Sequence, residues 1–171
     1  MKDLKDWARA LYPMHTYLIT SKSTEETNII TVDWLTVISR KPGIVGVSIA
    51  PTRYSHRLIK ESREFIVNVP STTLLEEVYK CGVLSGRDCN KFESLGLERA
   101  PSRKLKTEIV KNCVAFLECR VIDSRAYGDH TLFVGEVVTS YATASFTRSY
   151  KPIFHIKGSM FSTTADTLTT L

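Results

Sequence analysis

Hydrophobic and polar positions alternate along much of this chain with the period of two that suits a pleated strand. The central stretch, residues 28–62, reads as strand, tight turn, strand, loop and short helix. Residues 31–39 alternate and are rich in β-branched and aromatic side chains, so they predict one strand. Pro42-Gly43 breaks the chain, residues 44–50 form a second apolar run, and Pro51 stops it because proline has no N–H for a ladder. Ser55 stands where it would cap a helix over 56–62.

Before this stretch, Leu4, Trp7, Ala8 and Leu11 recur at helical spacing, predicting a short amphipathic helix over 1–11 that Pro13 ends. Residues 16–21 (TYLITS) predict a strand, and polar 23–27 a hairpin turn. After it, 64–69 (EFIVNV) is a strand closed by Pro70. Thr73-Leu-Leu-Glu76 has capping-box form, and Leu74, Leu75, Val78 and Tyr79 give an apolar face, predicting a helix over 73–81 that stops near Gly82. Residues 85–88 read as a turn, and 90–95 as one helical turn ended by Gly96. The polar run 97–110 reads as a surface connection. Residues 113–123 (CVAFLECRVID) and 131–141 (TLFVGEVVTSY) flank Gly128-Asp129 and predict a long hairpin. Residues 152–157 predict a last strand, and the Ser/Thr-rich tail 162–171 is expected to fray.

Six or seven strands joined mostly as hairpins, with three or four short helices in the connections, predict a mostly β fold. An antiparallel barrel with helical insertions fits better than a parallel sheet, because strands and helices do not alternate regularly. With 171 residues and no internal repeat, the chain reads as one domain, 1–171. A net charge of +5 suits an anionic ligand. The basic residues are scattered outside 99–106, and neither an RNA-binding aromatic signature nor zinc-finger spacing is present, which argues against nucleic acid. No run of eighteen apolar residues and no signal-peptide pattern appears, so a cytoplasmic protein without a membrane span is expected. Cys81, Cys89, Cys113 and Cys119 form no C-x-x-C pair, so free thiols and no metal site are expected.

The candidate chemistry begins at Thr52-Arg-Tyr-Ser-His-Arg57, just before the apolar pair Leu58 and Ile59. Hydroxyls and guanidinium groups at a helix N-terminus make an anion site suited to phosphate, since free N–H groups and the helix dipole already favour negative charge there. The same residues also read as a solvated basic turn.

Four segments then resemble the flavin reductase-like family, with its FMN-binding split barrel, and in particular its flavoredoxin-like branch. They are Asn28-Ile-Ile-Thr-Val-Asp-Trp34, Ser48-Ile-Ala-Pro-Thr-Arg-Tyr-Ser-His56 leading to Glu64-Phe65 and Asn68, Cys81-Gly-Val-Leu-Ser-Gly-Arg-Asp-Cys-Asn-Lys-Phe-Glu93, and Leu117-Glu-Cys119 followed by Gly128-Asp-His-Thr-Leu-Phe-Val-Gly-Glu136. The resemblance implies a homodimer with FMN at or near the subunit interface. It places Asn28 in the cofactor segment and lays Thr31, Val32, Asp33 and Trp34 along the flavin ring. Ser48 and Ile49 would flank the ring or ribityl chain. Arg53, Tyr54 and Ser55 would hold the phosphate, and Ser85, Gly86 and Lys91 would close over the same end. His130 would face the space where nicotinamide or substrate stacks, although a histidine in such a turn is also an ordinary surface residue. His155, on an apolar strand, reads as a core or interface histidine and is left outside the site.

The departures are informative. The family commonly has a small residue, often serine, where this chain has Asp33; a carboxylate there would disfavour the anionic reduced ring unless it points to solvent. Ser55 replaces a common threonine, and Lys111-Asn112 stands where an acidic residue is frequent. The resemblance implies an FMN-dependent oxidoreductase in which NADH or NADPH passes hydride to the flavin, which then reduces a free flavin, a ferric chelate or a partner redox protein. The alternatives are an FMN-binding electron carrier without a nicotinamide site and a binding module that has lost flavin. A dimer is also expected from the long hairpin, which is apolar on both faces although one barrel interior absorbs only one.

Overall fold

The computed structural model describes residues 4–24 and 26–164. In chain order its elements are β1 (Met14–His15), β2 (Tyr17–Lys22), β3 (Thr27–Val32), β4 (Leu35–Arg40), β5 (Gly43–Ile49), α1 (Tyr54–Ser62), β6 (Glu64–Val69), α2 (Leu75–Val83), α3 (Lys91–Ser94), β7 (Arg99–Ala100), β8 (Ile109–Val110), β9 (Ala115–Tyr127), β10 (His130–Ala142), β11 (Phe154–Lys157) and β12 (Met160–Ser162). Seven strands form one antiparallel sheet in the order β3-β2-β6-β9-β10-β5-β4. The edge strands β3 and β4 are consecutive in sequence, with only Asp33 and Trp34 between them. Three Cα steps reach about 11 Å at most, so the sheet is rolled until its edges face each other. The ladder does not close there, because β3 pairs only with β2 and β4 only with β5. The fold is an antiparallel split barrel, mostly β with short helices.

The single strand expected over 31–39 is thus two strands. The break lies at Asp33. The Leu35 N–H returns to the Asp33 carbonyl at 3.0 Å, and the Asp33 carboxylate is held by Thr16 and His155 rather than standing free on a pleat.

The barrel interior is filled by Ile19, Val47, Ile59, Phe65, Cys119 and Phe133. Gly135 lets the Phe65 ring in: a Cβ there would lie 2.6 Å from Phe65 Cζ. Successive residues point to opposite faces, so Leu18, Ile66 and Phe116 face away from the barrel and pack with Val78 of α2, Phe92 of α3 and Val110 in a second core. The two ends of the run 97–110 belong to this core, while 99–106 between them stays at the surface as its polarity suggested. Leu97, Ile109 and Val110 are buried, and β7 pairs with β8. Its basic segment folds over Glu118, whose carboxylate accepts the N–H groups of Arg103, Lys104 and Leu105 at 2.6, 2.7 and 3.1 Å and the Tyr141 hydroxyl at 2.9 Å. Near its base the β9–β10 hairpin is therefore covered on both faces by this chain, through Cys119 on one side and Phe116 and Tyr141 on the other. Exposed apolar side chains gather instead toward its far end and on β4, at Ile122, Tyr127, Val37 and Ile38.

Local capping differs from the sequence pattern in two places. Arg53, not Ser55, is the N-cap of α1, and Ser55 lies wholly buried in the first turn. Thr73 falls in a 3-10 turn over Thr72–Leu74 and makes no capping box, because Glu76 is engaged by Lys80 one helical turn on, at 2.5 Å. α2 continues through Gly82 to Val83. α3 is capped as its sequence implies: Asn90 Oδ1 accepts the Phe92 N–H at 3.1 Å, and Gly96 ends the turn at φ +65.

At the N-terminal end only a 3-10 turn over Trp7–Leu11 forms, and it buries no residue, so Leu4, Trp7 and Leu11 stay exposed; positions 1–3 of the expected helix lie outside the described residues. The tail begins as strand β12, which joins β1 and β11 in a small sheet; the expected fraying of 165–171 concerns residues outside the described ones. Among the described residues, no helix is long and apolar enough to cross a membrane, and no three His, Cys, Asp or Glu side chains gather as a metal site would need. The four cysteines are free thiols.

Candidate functional site

The seam of the barrel opens into two adjoining hollows, of about 240 and 280 Å³, that share Ile30, Thr52 and Arg53. Topology creates them. β3 leaves one edge unpaired at the seam, and β4 meets β5 only from Val47 back to Gly43, so Ser48 and Ile49 reach the seam without a β4 partner. The chain crosses the gap at Asp33-Trp34, where the Trp34 carbonyl accepts the Ser48 N–H at 2.9 Å.

The smaller hollow sits at the N-terminus of α1 and gathers Asn28, Arg53, Tyr54, Ser55, Gly86 and Lys91 from four separate segments. Asn28 Nδ2 donates to Ser55 Oγ at 2.8 Å, which leaves the serine hydrogen to donate elsewhere. Lys91 is 4% exposed, and its ammonium donates to the carbonyls of Ile29 and Cys81 at 2.8 and 2.7 Å. An ammonium carries three hydrogens, so one remains beyond these two bonds. Burial, with a smaller push from the Arg53 guanidinium, holds the Lys91 ammonium below its ordinary value. An anion between Arg53 and Lys91 would relieve both effects. Gly86 is packed so closely that a Cβ there would lie 2.1 Å from Asn28 Oδ1. Tyr54 is fixed from two sides, by Arg57, whose guanidinium donates to its hydroxyl at 3.1 Å, and by Arg87, whose guanidinium lies 5.3 Å from its ring centroid. Ser85 orients this loop through the Arg87 N–H, which donates to its Oγ at 3.2 Å.

The larger hollow is lined by Thr31, Val32, Asp33 and Trp34 on one side and by Ser48, Ile49 and His130 on the other. Val32 and Ile49 are also members of the barrel core, which fixes the two walls. The Trp34 and His130 rings meet at 4.7 Å, tilted by 41°, and His130 Nδ1 donates to Asp129 at 2.7 Å. Asp33 does not reach out to solvent: Oδ1 accepts from the Thr16 hydroxyl at 2.9 Å and Oδ2 from His155 Nδ1 at 2.6 Å.

The structure thus brings every residue of the sequence-derived site to these two hollows. It adds others. Tyr12, Thr52 and Arg87 line them, and His155 and Thr16 hold Asp33 from outside. Arg87 was legible only as a turn residue, and nothing in sequence links His155 to a carboxylate 122 positions away. The cysteines play no visible part: burial pushes the Cys81 thiol up to about 12, so it stays protonated at neutral pH.

The model of the flavin reductase-like domain matches residues 8–163. The chain belongs to the flavin reductase-like family. An uncharacterised protein of Archaeoglobus fulgidus is 49% identical over 128 residues, covering 75% of this chain and 72% of that one. Among solved structures, an FMN-binding protein of Thermus thermophilus superposes with a TM-score of 0.90 at 22% identity, covering 100% of this chain and 97% of the other. A flavoredoxin of Methanosarcina acetivorans gives 0.88 at 23% identity, covering 99% and 94%. At that identity these two likenesses speak to the fold.

Proposed function

We propose that this chain binds FMN in the seam and passes electrons from NADH or NADPH through it to a second acceptor, as a flavin, ferric or protein reductase. The observation that carries the reading is the composition of the smaller hollow in a chain of this family. The buried ammonium of Lys91 on α3 meets a buried serine hydroxyl and an arginine at the N-terminus of α1, a donor set suited to a phosphate dianion. Gly86 lets Asn28 and Tyr54 pack against its loop at the rim of that hollow, and the adjoining hollow has two walls for a flat ring.

Bound flavin supplies hydride and electron chemistry, which no side chain here needs to perform. The protein's share is binding, orientation and field. Arg53, Tyr54, Ser55, Ser85, Gly86 and Lys91, with Asn28 behind Ser55, would hold the phosphate end. Thr31 to Trp34, Ser48 and Ile49 would hold the ring and ribityl chain, and His130 would shape the face a nicotinamide approaches. A ferric-chelate reductase (NAD(P)H) of Archaeoglobus fulgidus, 28% identical over 123 residues, supports the nicotinamide-using reading. The second reading is an FMN-binding electron carrier without a nicotinamide site. Anaerobic mixing decides between them: the FMN-loaded protein should bleach within seconds of meeting NADH or NADPH, and a flavin that stays oxidised under both favours the carrier.

His130→Ala should slow that reduction by about tenfold, the worth of one orienting contact of roughly 1.4 kcal/mol, and leave FMN bound. Collapse of FMN affinity with a normal reduction rate in the remaining loaded protein would move His130 out of this role.

The chain is further proposed to act as a homodimer. Val37, Ile38, Ile122 and Tyr127 form exposed apolar surface on β4 and the far half of the β9–β10 hairpin, a face the chain itself leaves uncovered. Sedimentation at micromolar concentration should give twice 19.3 kDa. Charge placed on this face, as Ile38→Glu with Ile122→Glu, should release monomers. A wild-type monomer that holds FMN tightly would end the dimer reading.

A further inference from the structure

The Asp33 carboxylate lies in the wall of the larger hollow and also lines a smaller annex of about 170 Å³, where His155 faces it. Its side chain is 15% exposed and that of His155 22%. Both Asp33 oxygens are engaged, Oδ1 by the hydroxyl of fully buried Thr16 and Oδ2 by His155 Nδ1. The other His155 nitrogen, Nε2, lies 3.0 Å from the Gly158 carbonyl. A carboxylate and a carbonyl only accept, so both ring nitrogens face acceptors, and a ring that carries both protons would donate at each and pair its charge with Asp33. The ring is held in that pose from both sides, by Tyr12 edge-on at 5.6 Å and Phe161 at 5.0 Å. The Thr16 backbone is fixed in turn, its N–H donating to Ile153 at 2.9 Å.

We propose that Thr16, Asp33 and His155 act as a charge-compensating clamp that sets the electrostatic field in the flavin seam. His155 cancels most of the Asp33 charge, so the carboxylate can stand in the cleft wall without opposing a reduced, anionic ring. Thr16 and His155 together keep both oxygens turned away from the cofactor. The two act as positioning residues through Asp33. This inference rests on the FMN reading and adds to it a means of tuning the cofactor's potential with residues that need not touch the reacting atoms.

The test uses the FMN-loaded protein and two readouts, FMN affinity by fluorescence quenching and midpoint potential by dye equilibration. His155→Gln keeps a side-chain N–H for Asp33 but removes the compensating charge. It should lower the affinity for reduced relative to oxidised FMN by about tenfold, which for a two-electron couple is about 30 mV more negative. Asp33→Asn should shift the potential no further negative than wild type, and the Asp33→Asn/His155→Gln double variant should return it close to the wild-type value, because no net charge is left to compensate. Oxidised FMN should bind His155→Gln within a fewfold of wild type. If His155→Gln holds FMN at the wild-type potential, the clamp does not address the cofactor and this inference falls while the FMN reading stands. If His155→Gln does not fold, Asp33→Asn decides alone: a potential lower than wild type overturns the inference, because removing a carboxylate then acts with the wrong sign. A wild-type protein that takes up no FMN overturns both readings.

Discussion

Replacing Arg53 with alanine should weaken FMN binding by about ten- to a hundredfold and leave riboflavin binding nearly unchanged. The two ligands differ only in the phosphate. Arg53 caps α1 and borders both hollows, so its guanidinium stands where the phosphate end would join the rest of the cofactor. A hydrogen bond to a charged group is worth roughly 1.5–3 kcal/mol, which gives the stated range. The remaining groups limit the loss, since Ser55 and Lys91 stay in place behind it. Isothermal titration with both ligands is the measurement, and equal losses for FMN and riboflavin would show that Arg53 acts elsewhere.

The same pocket sets a pH dependence whose sign can be worked out. Burial first, and then Arg53, push the Lys91 ammonium below its ordinary value. A bound phosphate favours the charged form and pushes it back up. Affinity conferred by Lys91 is therefore fully present while the free protein still holds that proton, and it is lost as pH rises through the titration in the complex. FMN affinity should fall on the alkaline side more steeply than riboflavin affinity. In Arg53→Ala the fall should move to higher pH, because the charge that depresses Lys91 is gone and burial alone remains.

The strands were legible because a period of two survives in each, and prolines and glycines mark their ends. The break at Asp33-Trp34 was not, because residues 31–39 alternate straight through it. Only the tertiary fact that β3 and β4 lie on opposite edges of one sheet splits them, held by bonds from Thr16 and from His155, the latter 122 positions along the chain. Ser55 shows the same limit at the scale of one residue. Its hydroxyl looks like a cap, but the fold buries it and gives it Asn28 as donor instead. The residues proposed to hold the phosphate were legible because they cluster in sequence around 53–55 and because the remaining segments keep the family's order. His155 had no such signal. A histidine on an apolar strand gains its meaning only from the carboxylate that folding brings to 2.6 Å.

The run 99–106 keeps its basic side chains at the surface, as its polarity implies, yet its backbone yields the largest stability effect expected here. Five of its eight residues are polar or charged, so it reads as solvated. Its backbone, however, supplies three N–H groups to Glu118, which is fully buried on β9. The carboxylate also accepts from Tyr141 across the hairpin, and the Arg103 guanidinium lies over the Tyr141 ring, 3.9 Å from its centroid. Burial, and then Glu118, push the Tyr141 phenol above its ordinary value, so it remains a donor to the carboxylate throughout the physiological range. One side chain thus ties a loop that has few strand bonds of its own to the base of the main sheet. Glu118→Ala leaves those N–H groups and the hydroxyl without their partner and opens space beneath the loop. Truncating one side of a buried charged network costs about 3–5 kcal/mol. At roughly 2–4 °C per kcal/mol for a domain of this size, the melting temperature should drop by about 6–20 °C. Glu118→Gln keeps one acceptor oxygen but turns an amide N–H toward the loop donors, so it should fall between wild type and alanine. Thermal melts of the two variants test this, with hydrogen exchange at residues 103–105 locating the effect. An alanine variant that melts with the wild type would mean that the loop is held by Leu97, Ile109 and Val110 alone, and that the carboxylate serves some purpose other than stability.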